Sequence, residues 1–295
     1  MTNNKSSLKV NIIMPTFNRA KYILETIESI RNQTYINWEL VIVDDGSDDD
    51  TEELILHLND SRIKFLKAGR TGIVGKIKNR GLQHTTGELV AFIDSDDLWA
   101  PSKLEKQVAT LANNPDAGFC LSGGYNFINP GEPVDYFYKQ KEGSRYGNLF
   151  IPFFQSEVSG FTQALILHKE CLAKTGYFNE EKTFSDIEFI LNLAENYKGV
   201  ILYELLVFRR LHNDNYIHTN WEKSFYEGIE IIRKHNDRLP RKVARDAFFR
   251  IYIHFGEKYL TYGKRGKAIG KLLKAWKYRP FSIIPLKKIV KSIVH

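Results

Sequence analysis

Two short runs of acids carry the first chemical signal in the 295-residue chain: Asp44-Asp45 and Asp94-Ser95-Asp96-Asp97. Each follows an apolar run, residues 40–43 and 89–93, of the kind that reads as a buried strand when turn residues bound it. Both clusters therefore fall at the carboxyl ends of strands, where ligands bind in open parallel sheets. Three carboxylates in four residues repel one another unless they are solvated or hold a cation. A hard divalent ion takes oxygen ligands and keeps positions free for phosphate oxygens. The alternative is a solvated turn whose acids cap the helix near Pro101. Position directly after an apolar strand favours the metal.

The elements that must position these acids alternate regularly over the first 120 residues. Strands are predicted at 10–14, 40–43, 63–66, 89–93 and 118–121. Helices are predicted at 22–30 (apolar at Ile23, Ile27 and Ile30), 51–58, 74–83 and after Pro101. The order implies an α/β fold with a mainly parallel sheet flanked by helices. From 125 to 157 the pattern loosens into Gly, Pro and aromatics, among them Tyr136, Phe137, Tyr138 and Tyr146. Long irregular stretches in compact domains are commonly functional, and this one is expected to be an ordered binding surface. A helix returns at 186–196, a strand at 200–208, and the chain reads helical after Trp221.

Composition narrows the class. With 43% hydrophobic and 26% charged residues, fibrous and disordered chains are excluded. No run approaches the roughly 18 apolar residues of a spanning helix, and Met1 to Lys9 is polar, so a soluble intracellular protein is expected. Cys120 and Cys171 sit in no metal-ligand spacing. The net charge of +7 is unevenly placed. Residues 241–295 carry 15 Lys and Arg against Asp246 and Glu257, a net of +13, and the preceding 240 residues hold 27 bases against 33 acids, a net of −6.

Common nucleotide motifs are missing. Strand one runs into Pro15-Thr16-Phe17-Asn18 with no glycine for a dinucleotide fingerprint. Residues 69–76 (GRTGIVGK) resemble a phosphate loop only superficially, because the spacing is wrong and Ile77 replaces the metal-binding hydroxyl.

Four motifs in order resemble the inverting family 2 glycosyltransferases of the GT-A (Rossmann-like) fold: residues 11–19 (NIIMPTFNR), 38–47 (WELVIVDDGS), 78–81 (KNRG) and 87–97 (GELVAFIDSDD). The match runs from about residue 10 to 111 and more weakly to about 215. The resemblance implies a nucleotide-sugar donor, a divalent metal (Mn²⁺ or Mg²⁺) and inversion at the anomeric carbon. It implies a nucleoside pocket edged by Pro15, Thr16 and Phe17, with Phe17 stacking on the base and Arg19 nearby. Asp45, with Asp44 as an alternative, would accept from the base. Lys78 and Asn79 fit the family's Arg-Asn pair, with Lys78 replacing a bidentate fork by a point charge. Asp94, Ser95 and Asp96 match the Asp-x-Asp motif, with Asp96 and Asp97 nearest the metal and ribose. Arg210 would meet the diphosphate, and His212 would reach the metal or the diphosphate; Asn213-Asp214-Asn215 end the match.

An inverting transfer also needs a general base. The family supplies an acid at the start of a late helix, and residues 184–193 (FSDIEFILNL) offer Asp186 and Glu188. Residues i and i+2 lie about 200° apart on a helix. Glu188 shares its stripe with Asn192 and Glu195, expected to be solvated, and Asp186 shares its with Ile190 and Leu193, expected to face the protein. Asp186 is therefore the expected base, with helix capping as the alternative role.

The expected organisation is a GT-A catalytic domain at 1–220, with a nucleotide-sugar half at 8–122 and an acceptor half at 123–220. A helical basic C-terminal extension at 221–295 follows. Aromatics of the loose stretch and residues 160–163 would border the acceptor, a glycan or lipid-linked saccharide. In the extension, Ala268, Ile269, Leu272, Leu273 and Trp276 fall opposite Lys267, Lys271 and Lys274, and Leu286, Ile289, Val290 and Ile293 alternate with Lys287, Lys288 and Lys291. Basic amphipathic helices suit an anionic membrane surface, so the chain is expected in the cytoplasm, peripheral on the inner face of the membrane. Packing of these stripes on the body is the alternative. A nucleotidyltransferase would need a glycine-rich, lysine-bearing loop after strand one, which is missing. A nucleic-acid-binding role for the tail is disfavoured by the acidic body.

Overall fold

The computed structural model describes residues 8–138, 141–183, 185–212 and 216–294. Phe184, Asn213, Asp214, Asn215 and the side chain of Ile293, which belong to the motifs above, lie outside the described residues. One sheet holds ten strands among those described. They are β1 (Val10–Thr16), β2 (Trp38–Asp44), β3 (Ile63–Lys67), β4 (Leu89–Phe92), β5 (Leu98–Trp99), β6 (Ala117–Phe127), β7 (Pro133–Tyr136), β8 (Ser144–Gly147), β9 (Leu165–His168) and β10 (Lys198–Arg210). The order is β3-β2-β1-β4-β9-β6-β10-β5, with β7 on β6 and β8 on β10.

The first four strands are parallel and β1, β2 and β4 are almost wholly buried, which explains their unbroken Val and Ile runs. The sheet as a whole is mixed. β9 inserts antiparallel between β4 and β6, and β5, β7 and β8 also pair antiparallel. These four strands were not evident from the sequence. β5 has two residues and β7 is exposed along its length, so neither shows as a buried apolar run, and β9 is buried and apolar but only four residues long.

The helices are α1 (Ile23–Arg31), α2 (Thr51–Leu56), α3 (Val74–Gln83), α4 (Lys103–Asn113), α5 (Phe150–Phe154), α6 (Leu172–Thr175), α7 (Ser185–Asn196), α8 (Tyr216–Lys234), α9 (Arg241–Thr261), α10 (Arg265–Tyr278) and α11 (Ile284–Val294). α3 lies close on the sheet because Gly81 has no side chain: a Cβ there would stand 2.6 Å from Ile13 Cγ2. The chain divides into two compact units. One comprises residues 1–150 and 159–214 and contains the sheet; the other comprises 151–158 and 215–295 and is helical.

In the helical unit the expected stripe of α10 is split. Ala268, Leu272 and Ala275 are buried, and α9 receives Leu272 at Gly256, where a Cβ would lie 2.7 Å from Leu272 Cγ. Leu273 and Trp276 are exposed. Lys271, expected opposite, sits 4.2 Å from the Phe255 ring centroid. The face that packs is rotated from the one anticipated because small residues, rather than the largest ones, allow close helix approach.

Candidate active site

The two acidic clusters stand at the ends of β2 and β4, as their positions after apolar strands predict. Asp44 is committed to its own turn, accepting from Gly46 N at 3.1 Å, Ser47 N at 3.0 Å and the Ser47 hydroxyl. Gly46 makes the turn possible with φ +80°. Thr16 and Asp44 are register partners, and the Asp45 amide donates to the Thr16 carbonyl at 2.9 Å, which joins Pro15, Thr16 and Asp45 at one sheet edge. The Asp45 carboxylate accepts from the amides of Thr71 (2.6 Å) and Gly72 (2.9 Å) and from the Arg70 guanidinium. Arg70 in turn lies 3.6 Å above the Phe17 ring. Arg70 was missed by sequence reasoning. Its signal was a basic residue inside a glycine-flanked loop, at 69–72, that had been judged only as a phosphate loop.

At the end of β4, Asp96 Oδ2 accepts from Arg19 Nε at 3.1 Å and lies 2.9 Å from His212 Nε2. Tyr22 stacks on the His212 ring at 4.9 Å. Arg210 is turned into the protein: its amide donates to Asp97 at 2.9 Å, its Nε to the Asp96 carbonyl at 3.0 Å, and its terminal nitrogen to Glu25 at 2.6 Å. It therefore braces the 94–97 turn. Arg209 projects from the other face of β10, and its charge opposes the rise that burial gives the pKa of Asp94 and Asp97. The Arg-x-His spacing directed attention to Arg210 and away from this neighbour.

Lys78 joins the two halves of the site. Its ammonium is buried and donates to Thr162 Oγ1 at 2.9 Å and to both Asp186 oxygens at 2.9 and 2.8 Å, with Asp94 Oδ1 at 4.0 Å. Thr162 also donates to Asp186 at 2.7 Å, and Gln163 donates to Asp94. Asn79, the next residue on α3, faces elsewhere: it donates to the Phe178 carbonyl at 2.8 Å and to Glu180 at 2.9 Å, and accepts from Phe178 N at 2.9 Å. It fastens the segment before α7. Gly75 permits the close packing of α3 on α7, since a Cβ there would meet Ser185 Oγ at 2.5 Å.

Asp186 and Glu188 do point to different sides of α7. The expectation that Glu188 is solvated is corrected: it is buried, with Asn179 Nδ2 at 3.3 Å and Lys182 Nζ at 4.0 Å. The segment leading into α7 covers it, and nothing periodic in that segment announces the cover. In the loose stretch, Tyr125 packs on Phe208 and Tyr136, Phe137 packs on Phe161, and Tyr138 accepts from Ser159 N at 3.0 Å. These aromatics build an ordered wall.

Charge follows from these contacts. Desolvation raises the Asp94 pKa against the pull of Lys78, with Asp96 and Asp186 adding to the rise. Asp96 is also desolvated, yet the hydrogen bond with His212 and the Arg19 charge hold it below the usual value. Burial, then Asp96 and Asp94, push Asp97 well above the usual carboxylate range, and its Oδ2 is buried without a hydrogen-bond partner among the described residues. No three His, Cys, Asp or Glu among the described residues converge as a complete metal cage. Asp96 and His212 nevertheless offer an oxygen and a nitrogen side by side. A carboxylate oxygen and an imidazole nitrogen can share a divalent ion completed by phosphate oxygens and water, and the imidazole favours a transition ion such as Mn²⁺ over Mg²⁺.

The family model described as "Glycosyl transferase family 2" matches residues 11–167. The chain is 40% identical over 120 residues to the Escherichia coli UDP-Glc:alpha-D-GlcNAc-diphosphoundecaprenol beta-1,3-glucosyltransferase WfgD, covering 41% of this chain and 47% of that protein; it thus spans less than half of WfgD. It is 29% identical over 236 residues to TuaG of Bacillus subtilis (strain 168), whose name places it in teichuronic acid biosynthesis, covering 77% of this chain and 89% of TuaG. The S. aureus TarS 1–349 crystal structure superposes with a TM-score of 0.66 at 21% identity, over 92% of this chain and 81% of that one. The complex of that fragment with UDP-GlcNAc superposes at 0.59 with 19% identity, over 94% and 74%. The matched motifs, the mixed sheet and the acids at its strand ends lead to one conclusion: the chain belongs to glycosyl transferase family 2 and has the GT-A fold.

Proposed function

We propose that the chain transfers a hexosyl or N-acetylhexosaminyl group from a UDP-sugar, with inversion, to a hydroxyl of a lipid-linked glycan acceptor. The product would serve bacterial surface-polysaccharide assembly at the cytoplasmic face of the cell membrane. The observation that carries this reading is the array in which Lys78 bridges Asp186 and Asp94, beside Asp96 and His212. The undecaprenol-linked substrate in the name of WfgD supports the acceptor class, and its UDP-Glc supports the donor.

In this reading Phe17 and Asp45 bind the base, in place of the contacts both make here with Arg70. Lys78 and Thr162 orient Asp186. A carboxylate has about four lone-pair sites; the two contacts from Lys78 and one from Thr162 leave one for the acceptor hydroxyl, whose proton Asp186 takes as the hydroxyl attacks the sugar C1 from the face opposite the nucleotide. A divalent ion held by Asp96 and His212, with Asp94 adjacent, would supply positive charge to the departing diphosphate. Arg210 keeps the 94–97 turn in place, and Arg209 adds positive charge on its open side.

Asp186→Asn tests the assignment. It is expected to lower transfer by about 10²–10⁴-fold, the usual contribution of a general base, while a UDP-sugar still raises the melting temperature. Retained turnover would remove Asp186 from the mechanism.

A further inference from the structure

The helical unit leaves an apolar ridge uncovered. With Ala268, Leu272 and Ala275 of α10 packed inward, Leu273, Trp276, Phe281, Ile283, Leu286 and Val290 remain between 43% and 101% exposed. They lie on α10, in the loop that follows it and on α11. Pro285 is the buried residue of α11 among the described side chains and Lys288 reaches back to Glu257 on α9, which fixes the side of α11 that packs. Counting about 100° per residue from Pro285, Leu286 and Val290 fall at about 100° and 140°, and Lys287 and Lys291 at about 200° and 240°. One outward face is therefore half apolar and half basic.

The charge on that face is uncompensated. The two acids of residues 241–295 are both engaged, Asp246 by Arg279 at 2.6 Å and Glu257 by Lys288. Lys274, Lys277, Lys287 and Lys291 pair with no acid among the described residues. A second copy of this surface would set like charge against like. A nucleic acid would satisfy the lysines and leave the aliphatic ridge in water. An anionic lipid bilayer satisfies both halves, because aliphatic and aromatic groups enter the headgroup–acyl boundary while lysines extend to the phosphates. No helix of the described residues is long and apolar enough to cross a membrane, so the geometry is that of lying on the surface.

We propose that α10, α11 and the loop joining them are the docking face for an anionic bilayer, with Phe281, Leu286 and Val290 inserted and the four unpaired lysines at headgroup level. The full chain would be floated with vesicles of phosphatidylcholine alone or of equal parts phosphatidylcholine and phosphatidylglycerol. Binding is expected to the anionic vesicles, with quenching of Trp276 fluorescence by brominated lipid that is lost in Trp276→Phe. A lysine near an anionic surface is worth about five-fold in partitioning, so Lys287→Gln/Lys291→Gln is expected to weaken binding roughly 25-fold. Phe281→Ser/Leu286→Ser/Val290→Ser, all at exposed positions, is expected to abolish the quenching. Equal binding to neutral vesicles, no binding, or indifference to either set of substitutions would overturn the proposal. So would self-association, or RNA retention in place of flotation, that the serine substitutions remove. These readouts do not involve sugar transfer, so they stand or fall apart from the enzymatic reading.

Discussion

Lys78 stands where the family resemblance implies an arginine, and the structure gives this cation a specific task. A buried ammonium paired with Asp186 at 2.8 Å and 4.0 Å from Asp94 offsets the repulsion of these two acids across the site. Removing one partner of a buried pair strands the other charge, with a cost of about 3–5 kcal/mol when both are buried; the partial exposure of Asp186 places this case lower. Lys78→Met is therefore expected to lower stability in urea denaturation. The double variant Lys78→Met/Asp186→Asn should recover part of the loss, with a coupling energy of about 0.5–3 kcal/mol. Metal removal gives a separate expectation: EDTA should stop transfer, and Mn²⁺ or Mg²⁺ should restore it. At this scale much was legible. Acids that follow apolar strands announce themselves, and the motif at 184–193 narrowed the expected base to Asp186 or Glu188. Arg70, Arg209 and the burial of Glu188 were not legible, since each depends on which non-local segment lies against it.

Among the elements, α4 contains an unusual lysine. Lys103 is fully buried, donates to Gln107 at 2.8 Å and lies 3.7 Å over the Trp99 ring, with no carboxylate partner among the described residues. Burial pushes its pKa from 10.5 down to about 7. Between those values the unfolded chain binds more protons than the folded one, so stability rises with pH across the window and falls as pH drops toward 7. Lys103→Met is expected to raise the melting temperature at pH 7 by several degrees and to flatten the rise between about pH 7 and 10.5, as read by thermal denaturation across pH. The Lys103 neighbourhood bears on the site through Gln107, which also donates to the Ala164 carbonyl at 2.8 Å beside Thr162 and Gln163. The parallel half of the sheet was readable because strands buried on both faces show as continuous Val and Ile. The antiparallel additions were not, because short or exposed strands are defined by their neighbours more than by their own residues.

For the whole molecule, the net charge of +7 averages two distinct bodies, the sheet unit with 23 bases against 28 acids, a net of −5, and the helical unit with 19 bases against 7 acids, a net of +12. An acidic sheet unit suits a centre that gathers cations, and a basic helical unit suits an anionic surface. The insertion of β9 carries a consequence for how such a chain is made. Synthesis proceeds from the N-terminus, and until residues 165–168 emerge β4 has a partner on one side only. The nascent nucleotide half thus presents an unpaired, wholly buried-type strand edge, the kind that templates aggregation. Fragments ending near residue 160 are expected to aggregate in analytical sedimentation, whereas those ending near 214 should remain monodisperse. Seen this way, four residues in the middle of the sheet set the moment during translation at which the open edge of β4 is closed.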